Sequence, residues 1–563
     1  MASKAISKAW YKEMCVYQIW CRSFKDGNGD GIGDLAGVRE KLPYIKSLGV
    51  DAIWFSPLYK SPQADYGYDI SDYRDINPEY GTLEEFRQLL DEAHSMGLKV
   101  IMDLVVNHTS DQHEWFLESR KGADNPYHDY YFWRKGRAPG KAPNNWLSTF
   151  AGPGWSYDED LDEWFLHIFT PQQPDLNHDN PKVREEVKDI MRYWLDMGVD
   201  GFREDVITYI SKKDGLPNGF PIPVACGMEH YDFGPNLEKY LTEYRREVLD
   251  NYDCVTIGEA PMITPKKALR LIGEGPDKLL DMVIPFDHMS CDGFLINWIP
   301  VKFNLKKLKK CYANWQKTLY GKGWNMLYIE NHDQPRIVSR YGSELYRAES
   351  AKMLAAAYML QSGTAFVYQG QEIGMTNLHL QSLDEYVDFQ TISTTALMKR
   401  LLHLSDKTLV KIASKASRDN SRSPVQWTGG KNAGFTTADD AWFRVNPNYP
   451  EINVEKDEKD PDSVLNFYKK LIAFRKDNPL VIYGDYKEHY RSNKRMFCYE
   501  RRYGDERLLV VCSFSDIPVR FNAPEGFDLS DGECVLNNYP DPIIIENGFA
   551  LKPYETRVYR FRA

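Results

Sequence analysis

Four short segments place acids, bases and cations at spacings that could break a bond flanked by oxygen. They are residues 103–108 (DLVVNH), 198–205 (GVDGFRED), 256–260 (TIGEA) and 330–336 (ENHDQPR). On an extended strand, residues two apart face the same way, so Arg203 and Asp205 share a face and Glu204 looks the other way. A guanidinium beside a carboxylate keeps it ionised, which a nucleophilic carboxylate needs. Glu259 closes an apolar run and precedes Pro261, and a carboxyl in apolar surroundings has reason to keep its proton, which suits a general acid. Asp333, with His332 beside it, offers a third carboxylate, and His108 a second imidazole. Glu204 is expected to be a paired or solvated charge on the outer side. Two carboxylates flanking a glycosidic bond give inversion or retention according to their separation, which spacing along the chain leaves open.

The elements that must position these groups alternate between two periods. Short apolar runs at 16–19, 52–54, 99–105, 201–203, 255–257, 282–284, 326–329 and 365–368 read as strands. Helical patterns lie between several of them, as at 83–96 and 182–197. The second sets Val183, Val187, Ile190, Met191, Trp194 and Leu195 on one face. About eight such units predict a parallel barrel, with the four chemical segments at the C-terminal ends of its strands. Residues 108–173, rich in Trp, Tyr, Asn, Pro and Gly, are too long for a bare loop and predict a small inserted domain. A second excursion runs over 375–450. The last barrel helix is predicted over 463–476, ending before Asn478-Pro479. Beyond it, 495–500 and 508–514 alternate around Tyr503-Gly504-Asp505, which predicts a β-rich C-terminal domain. The expected division is barrel over 1–103 and 172–478, inserted domain over 104–171 and C-terminal domain over 479–563.

Composition narrows the function. The 563 residues carry 70 Lys plus Arg against 81 Asp plus Glu, a net charge of −11. That balance, without a basic stripe, argues against nucleic acid. No run is long and apolar enough to span a bilayer, and the first twenty residues lack the apolar core of a signal peptide. Nine cysteines without CxxC pairs point to a reduced, cytoplasmic setting, each thiol acting as a small buried hydrophobe. The 14 Trp and 36 Tyr fit either large cores or stacking on flat sugar faces.

With these segments in order, the chain resembles glycoside hydrolase family 13, the α-amylase superfamily, near its oligo-1,6-glucosidase and dextran glucosidase branch. DLVVNH, GFRED, GEA and NHD match the family's four main conserved regions, QPDLN at 173–177 matches a fifth, and the similarity covers nearly the whole chain. The resemblance implies an α/β fold: a (β/α)8 TIM barrel, a small domain inserted after the third strand and a C-terminal antiparallel β-sandwich. It implies retention, with Asp205 forming a glucosyl ester, Glu259 acting as acid and then base, and Asp333 binding hydroxyls of the distorted sugar. Asp65 and Tyr68 are expected to line the pocket for the non-reducing glucose, and Arg418 to pair with Asp65 and close it. Phe169 is expected to stack on that sugar, and His108 and His332 to bind its hydroxyls. Arg203 and Arg336 join the expected substrate-binding set. A closed pocket favours release of single glucose units from chain ends. Val206, after the nucleophile, goes with α-1,6 bonds in relatives, where Thr or Ala goes with α-1,4 or mixed bonds.

Residues 26–34 (DGNGDGIGD) form a second constellation. Asp26, Asn28, Asp30 and Asp34, with the Ile32 carbonyl, offer hard oxygens in a Gly-rich loop. The twelfth position is Gly37, not Glu, so the loop is not an EF-hand. Relatives bind Ca2+, or sometimes Mg2+, here, and a structural Ca2+ is expected. Glu204 departs from the apolar residue common before the nucleophile. The stretch FDHMSCDGF at 286–294 lacks the arginines of sucrose isomerases, which counts for hydrolysis. The expected activity is an exo-acting oligo-1,6-glucosidase working as a monomer on small oligosaccharides. The rivals are a sucrose isomerase, a trehalose-6-phosphate hydrolase and a broad α-glucosidase. A catalytically dead, membrane-tethered transporter heavy chain would lose carboxylates that this chain keeps.

Overall fold

The computed structural model describes residues 8–294, 296–545 and 548–562. Eight parallel strands form its centre: β1 (Cys15–Ile19), β2 (Ala52–Phe55), β3 (Lys99–Leu104), β4 (Gly201–Glu204), β5 (Val255–Glu259), β6 (Met282–Ile284), β7 (Met326–Leu327) and β8 (Thr364–Tyr368). They pair in the order β6-β5-β4-β3-β2-β1-β8-β7, and β6 and β7 come into contact across the remaining gap. Their residues are almost all buried, as expected of parallel strands covered by helices. The predicted helices form the outer layer as Leu83–Ser95 and Pro181–Met197. Thr82 and Glu85 make a capping box on the first; Asn180 caps the second, which ends at Gly198 in the left-handed region.

Strand register carries the chemistry. Asp103 on β3 lies opposite Arg203 on β4, and Ile257 on β5 lies opposite Arg203 from the other side. Gly201 opens β4 at φ 154, and a Cβ there would sit 2.2 Å from the Val255 carbonyl oxygen. Glycine thus lets β4 and β5 approach closely enough for Arg203 and Glu259 to meet.

Between β3 and β4 the chain makes helix Glu114–Ser119 and a three-stranded antiparallel sheet ordered Trp133–Arg134, Glu163–Leu166, Trp155–Asp158. Its aromatic residues form two small cores, one of which includes Val206 and Tyr209 from beyond β4. After β8 come helices Phe389–Leu402 and Asp406–Ala416, then Val464–Lys476 capped by Ser463. A short helix, Pro479–Tyr483, precedes the C-terminal sheets.

There a five-stranded antiparallel sheet faces a three-stranded one. Alternation in Met496–Tyr503 explains how the larger sheet serves two cores. Met496 and Cys498 join Phe521, Phe549 and Leu551 of the smaller sheet, whereas Phe497 and Tyr499 join the barrel core. All nine cysteines are free, but not all are buried as expected: Cys254 and Cys311 are half-buried and Cys534 is exposed. Among the described residues no helix is long and apolar enough to cross a membrane.

Candidate active site

Asp205 is the first residue past β4, and its amide still bonds the Leu104 carbonyl at 2.9 Å. Arg203, two residues back on the same face, reaches three carboxylates from beneath. Nη1 donates to Asp103 Oδ1 and Asp205 Oδ1, each at 2.7 Å, and Nη2 donates to Glu259 Oε2 at 2.5 Å. Glu259 ends β5, and its Oε2 also accepts the Val206 amide at 3.1 Å. The apolar setting expected for Glu259 is therefore only part of its surroundings, since a cation sits against it. Burial pushes the Asp205 carboxyl well above its ordinary value; Arg203 pulls it back, while Glu259, in hydrogen-bond contact with it, and Asp103 push it up.

Asp333 follows β7. Burial opposes its charge, but His332, Arg418 and Arg422 outweigh it and hold the carboxyl well below its ordinary value. His332 Nε2 lies 3.1 Å from Asp333 Oδ2, and Arg418 and Arg422 donate to Asp333 Oδ1 at 3.2 and 3.1 Å. The His332 tautomer follows from its neighbours. Gln18 Nε2 can only donate, and it lies 2.8 Å from Nδ1, so Nε2 carries the proton. That proton faces the Tyr68 hydroxyl at 2.6 Å, which itself donates to Asp103 at 3.1 Å. Burial lowers both His332 and His108 to about 4, so both imidazoles are neutral at ordinary pH.

The far end of the site is closed as expected. Arg418 Nη2 donates to Asp65 Oδ1 at 2.9 Å, and Asp388 anchors the same guanidinium at 2.6 and 2.9 Å. Gln173 donates to Asp65 and to the Tyr68 carbonyl. These groups open on a cavity of about 640 Å³ lined by Asp65, Tyr68, His108, Phe169, Asp205, Val206, Glu259, Asp333 and Arg418. Phe169 stands between His108 and Phe150, with ring centroids 5.1 and 5.3 Å away. Beyond the carboxylates the wall turns apolar, with Val224, Ala225, Met228, Met262 and Trp298.

Three expected site residues lie elsewhere than in the wall. Arg336 is fully buried and donates to Glu330 and the Gln369 carbonyl at 3.0 and 2.8 Å, so it braces the β7 and β8 turns and is not a sugar contact. Arg203 and His332 sit behind the lining carboxylates. Glu204 does face outward, but it is neither solvated nor fully paired: it is 1% exposed and its Oε2 has no hydrogen-bond partner. Burial raises it to about 8, against the pull of Arg245 and with Asp281 adding to the rise.

Sequence reasoning missed several supports. Arg422 lies one helical turn after Arg418, a spacing that could have flagged it, whereas nothing in the sequence marks Asp388. Lys212 is buried and pairs with Asp175 at 2.7 Å while donating to Asn107 at 2.9 Å. Asn107 in turn donates to His108 Nδ1 at 3.2 Å, and Asp175 accepts the Ile168 amide at 2.8 Å next to Phe169. One cation thus steadies both the histidine and the ring.

The loop expected to hold a cation folds on its own donors. Asp34 caps helix Leu35–Ser47, accepting from Gly37 at 2.7 Å and also from Gly27 and Asn28. Asp26 accepts from Gly29, Gly31 and Thr436, and Asp30 from Ile32 and Asn28. Among the described residues no three Asp, Glu, His or Cys side chains are grouped to hold a metal. A cation at this loop would rely on Asn28, the Ile32 carbonyl and water beside Asp26 and Asp30.

Comparison with known proteins agrees with the geometry. The α-amylase catalytic-domain family matches residues 18–484. An oligo-1,6-glucosidase of Bacillus cereus is 48% identical over 99% of this chain and 100% of its own length. Among solved structures, trehalose-6-phosphate hydrolase of Bacillus licheniformis is similar with a TM-score of 0.92, 41% identity and coverage of 99% and 100%. Trehalulose synthase from Pseudomonas mesoacidophila is similar with a TM-score of 0.93, 40% identity and coverage of 98% and 100%.

The state of Glu204 gives a pH test. Its carboxyl titrates near 8 in the folded chain and near 4.5 when unfolded. Its contribution to stability is therefore intact below about pH 4.5 and is lost as pH rises towards 8. Glu204→Gln should remove that loss, up to roughly 5 kcal/mol. Melting temperatures of the two proteins, followed from pH 5 to 9, should diverge in favour of the variant. Parallel curves would contradict a buried, proton-holding Glu204.

Proposed function

The chain belongs to the α-amylase family, and from that premise we propose a retaining, exo-acting α-glucosidase. It cleaves α-1,6 bonds at the non-reducing end of isomaltose, short isomalto-oligosaccharides and panose-like substrates. One observation carries the reading: a single guanidinium bridges Asp205 and Glu259 at the floor of a cavity whose far end Asp65 and Arg418 close.

An inverting pair needs about 6.5–9.5 Å between carboxyls to admit a water, whereas a retaining pair stands about 5–5.5 Å apart. Asp205 and Glu259 share Arg203 and touch each other, which supports retention. A glucose seated against Phe169 and Tyr68 places its anomeric carbon over Asp205. Entry of the glycosidic oxygen parts the two carboxyls. Asp205 stays on Arg203 as the anion, and Glu259, acting as the acid, delivers a proton to the departing oxygen. The resulting glucosyl ester is hydrolysed by water after Glu259 takes a proton from it. Asp333, held ionised by Arg418 and Arg422, binds hydroxyls of the flattened ring and stabilises its positive charge.

The Arg418–Asp65 pair across the far end of the cavity supports release of single units. The apolar wall beyond Val206 and the name of the Bacillus cereus relative support the α-1,6 bond. The rivals fit less well. A phosphorylated substrate needs a free cation. The described lining cations are Lys307, which donates to the Ser290 carbonyl at 2.5 Å, and Arg418, which bonds three carboxylates. Residues 286–294 give the wall Phe286, Asp287 and Ser290 but no arginine, which disfavours sucrose isomerisation. The same reading takes the enzyme as a monomer, and nine free thiols are in keeping with a reduced cytoplasm. A structural Ca2+ or Mg2+ at residues 26–34 belongs to the same proposal and is supported by the oxygen donors of Asp26, Asn28, Asp30 and Ile32.

A panel of isomaltose, panose, maltose, sucrose and trehalose-6-phosphate, followed by NMR, tests the reading. Isomaltose should be cleaved fastest, at least tenfold over maltose, releasing α-glucose first. Faster cleavage of maltose would refute the α-1,6 assignment, and β-glucose as first product would refute retention. For the cation, exhaustive chelation should lower the melting temperature and added Ca2+ should restore it. An unchanged melting curve would remove the metal from the account.

A further inference from the structure

Val206 follows the nucleophile at φ 33, ψ 41, in the left-handed region. A β-branched residue strongly disfavours that conformation, because its branched Cβ crowds the neighbouring carbonyl. The surroundings impose it. The side chain is 6% exposed and belongs to a core with Phe132, Trp155, Ile168 and Tyr209, and its carbonyl accepts the Tyr209 amide at 2.8 Å to start the next turn.

The turn has a chemical consequence. The Asp205 amide is still in the β ladder, on the Leu104 carbonyl. The Val206 amide is the first to leave it, and it reaches Glu259 Oε2 at 3.1 Å. That oxygen also takes Arg203 Nη2. Both donors hold the same oxygen, so Oε1 is left to face the reacting bond. The left-handed turn at 206 carries the chain out of the sheet at once, so that this amide is left to Glu259 rather than to a neighbouring strand.

We propose that Val206 is a positioning residue for the acid/base: its strained peptide keeps a neutral donor on Glu259 through both halves of the reaction and favours the carboxylate that must activate water in the second. The inference rests on the retaining reading. The two halves ask opposite things of Glu259, a proton in the first and a free carboxylate in the second. Arg203 cannot supply the difference by itself, because it is shared with Asp103 and Asp205. Asp205 loses its charge when it becomes an ester, whereas an amide donor is the same in both steps. The other charged or titratable groups facing Glu259 are Asp103, Asp205, Tyr209 and Tyr328, and none changes when only the 206 donor is removed.

The test replaces Val206 in the full chain by its α-hydroxy analogue, which turns the N–H into an ester oxygen and keeps the side chain. Without the donor, the carboxylate form of Glu259 is disfavoured. The alkaline limb of kcat/KM on isomaltose should move up by about one pH unit. Turnover of an aryl α-glucoside with a good leaving group, limited by the second step, should fall about tenfold below that limb. Val206→Ala, which keeps the amide, should leave the limb in place. A uniform loss at every pH with the limb unmoved would overturn the proposal. Should the ester chain not fold, the wild-type amide can be read directly by NMR with 15N-valine. The Val206 amide proton should titrate in the wild type and not in Glu259→Gln, and an amide that ignores pH in both would equally overturn it. A wild type inert towards isomaltose and aryl α-glucosides would instead sink the glucosidase reading, and the NMR titration would still decide the contact.

Discussion

The Arg203 guanidinium lies 1% exposed under the barrel mouth and bonds Asp103, Asp205 and Glu259 at once. Three buried carboxylates this close repel one another, and each lost solvation on folding. Removing the cation would leave them uncompensated, at about 3–5 kcal/mol on the scale of broken buried pairs. The arrangement exists only because β3, β4 and β5 are in a register that sets Asp103 beside Arg203, and because Gly201 lets β4 and β5 close together. The barrel's interior is thus built around a charge cluster, and the proposed division of labour between Asp205 and Glu259 rests on it.

The same logic recurs one layer out. Lys212, buried between Asp175 and Asn107, fixes His108 and the segment leading to Phe169. Arg418 and Arg422, clasped by Asp388, hold Asp65 and Asp333. Groups of the cavity wall are thus oriented by buried cations, of which Lys212 and Arg422 stay behind the wall and Arg418 is part of it. Such pairs add little net stability, because desolvation offsets attraction, but they fix geometry. Glu204 and Val206 show the opposite, local choices that the fold tolerates at a loss on either side of Asp205. One is a buried acid with an orphaned oxygen, the other a β-branched residue at positive φ.

Much of this was legible in the chain. Short apolar runs located all eight strands within a few residues, because both faces of a parallel barrel strand are buried, and period-3.6 patterning located the helices Leu83–Ser95, Pro181–Met197 and Val464–Lys476. The three carboxylates were legible because strand ends on one barrel face converge. What escaped was long-range. Asp388 meets Arg418 from 30 residues away and Lys212 meets Asn107 from 105, and neither contact leaves a local signal. Arg336 looked like a ligand by its place in ENHDQPR yet is buried behind the wall, on Glu330 and the Gln369 carbonyl. Glu204 looked like a surface charge because alternation says only that it faces away from the barrel axis, not that it is buried there near Tyr244 and Arg245.

The central claim is that Asp205, held by Arg203, attacks the sugar and carries it. Incubation with 5-fluoro-α-glucosyl fluoride, which slows release of the ester, followed by peptide mass spectrometry, tests that claim directly. The account predicts one fluoroglucosyl group per chain, on the peptide that contains Asp205, and none in Asp205→Asn. A label on Glu259 or Asp333, or steady turnover by Asp205→Asn at a rate near wild type, would contradict it.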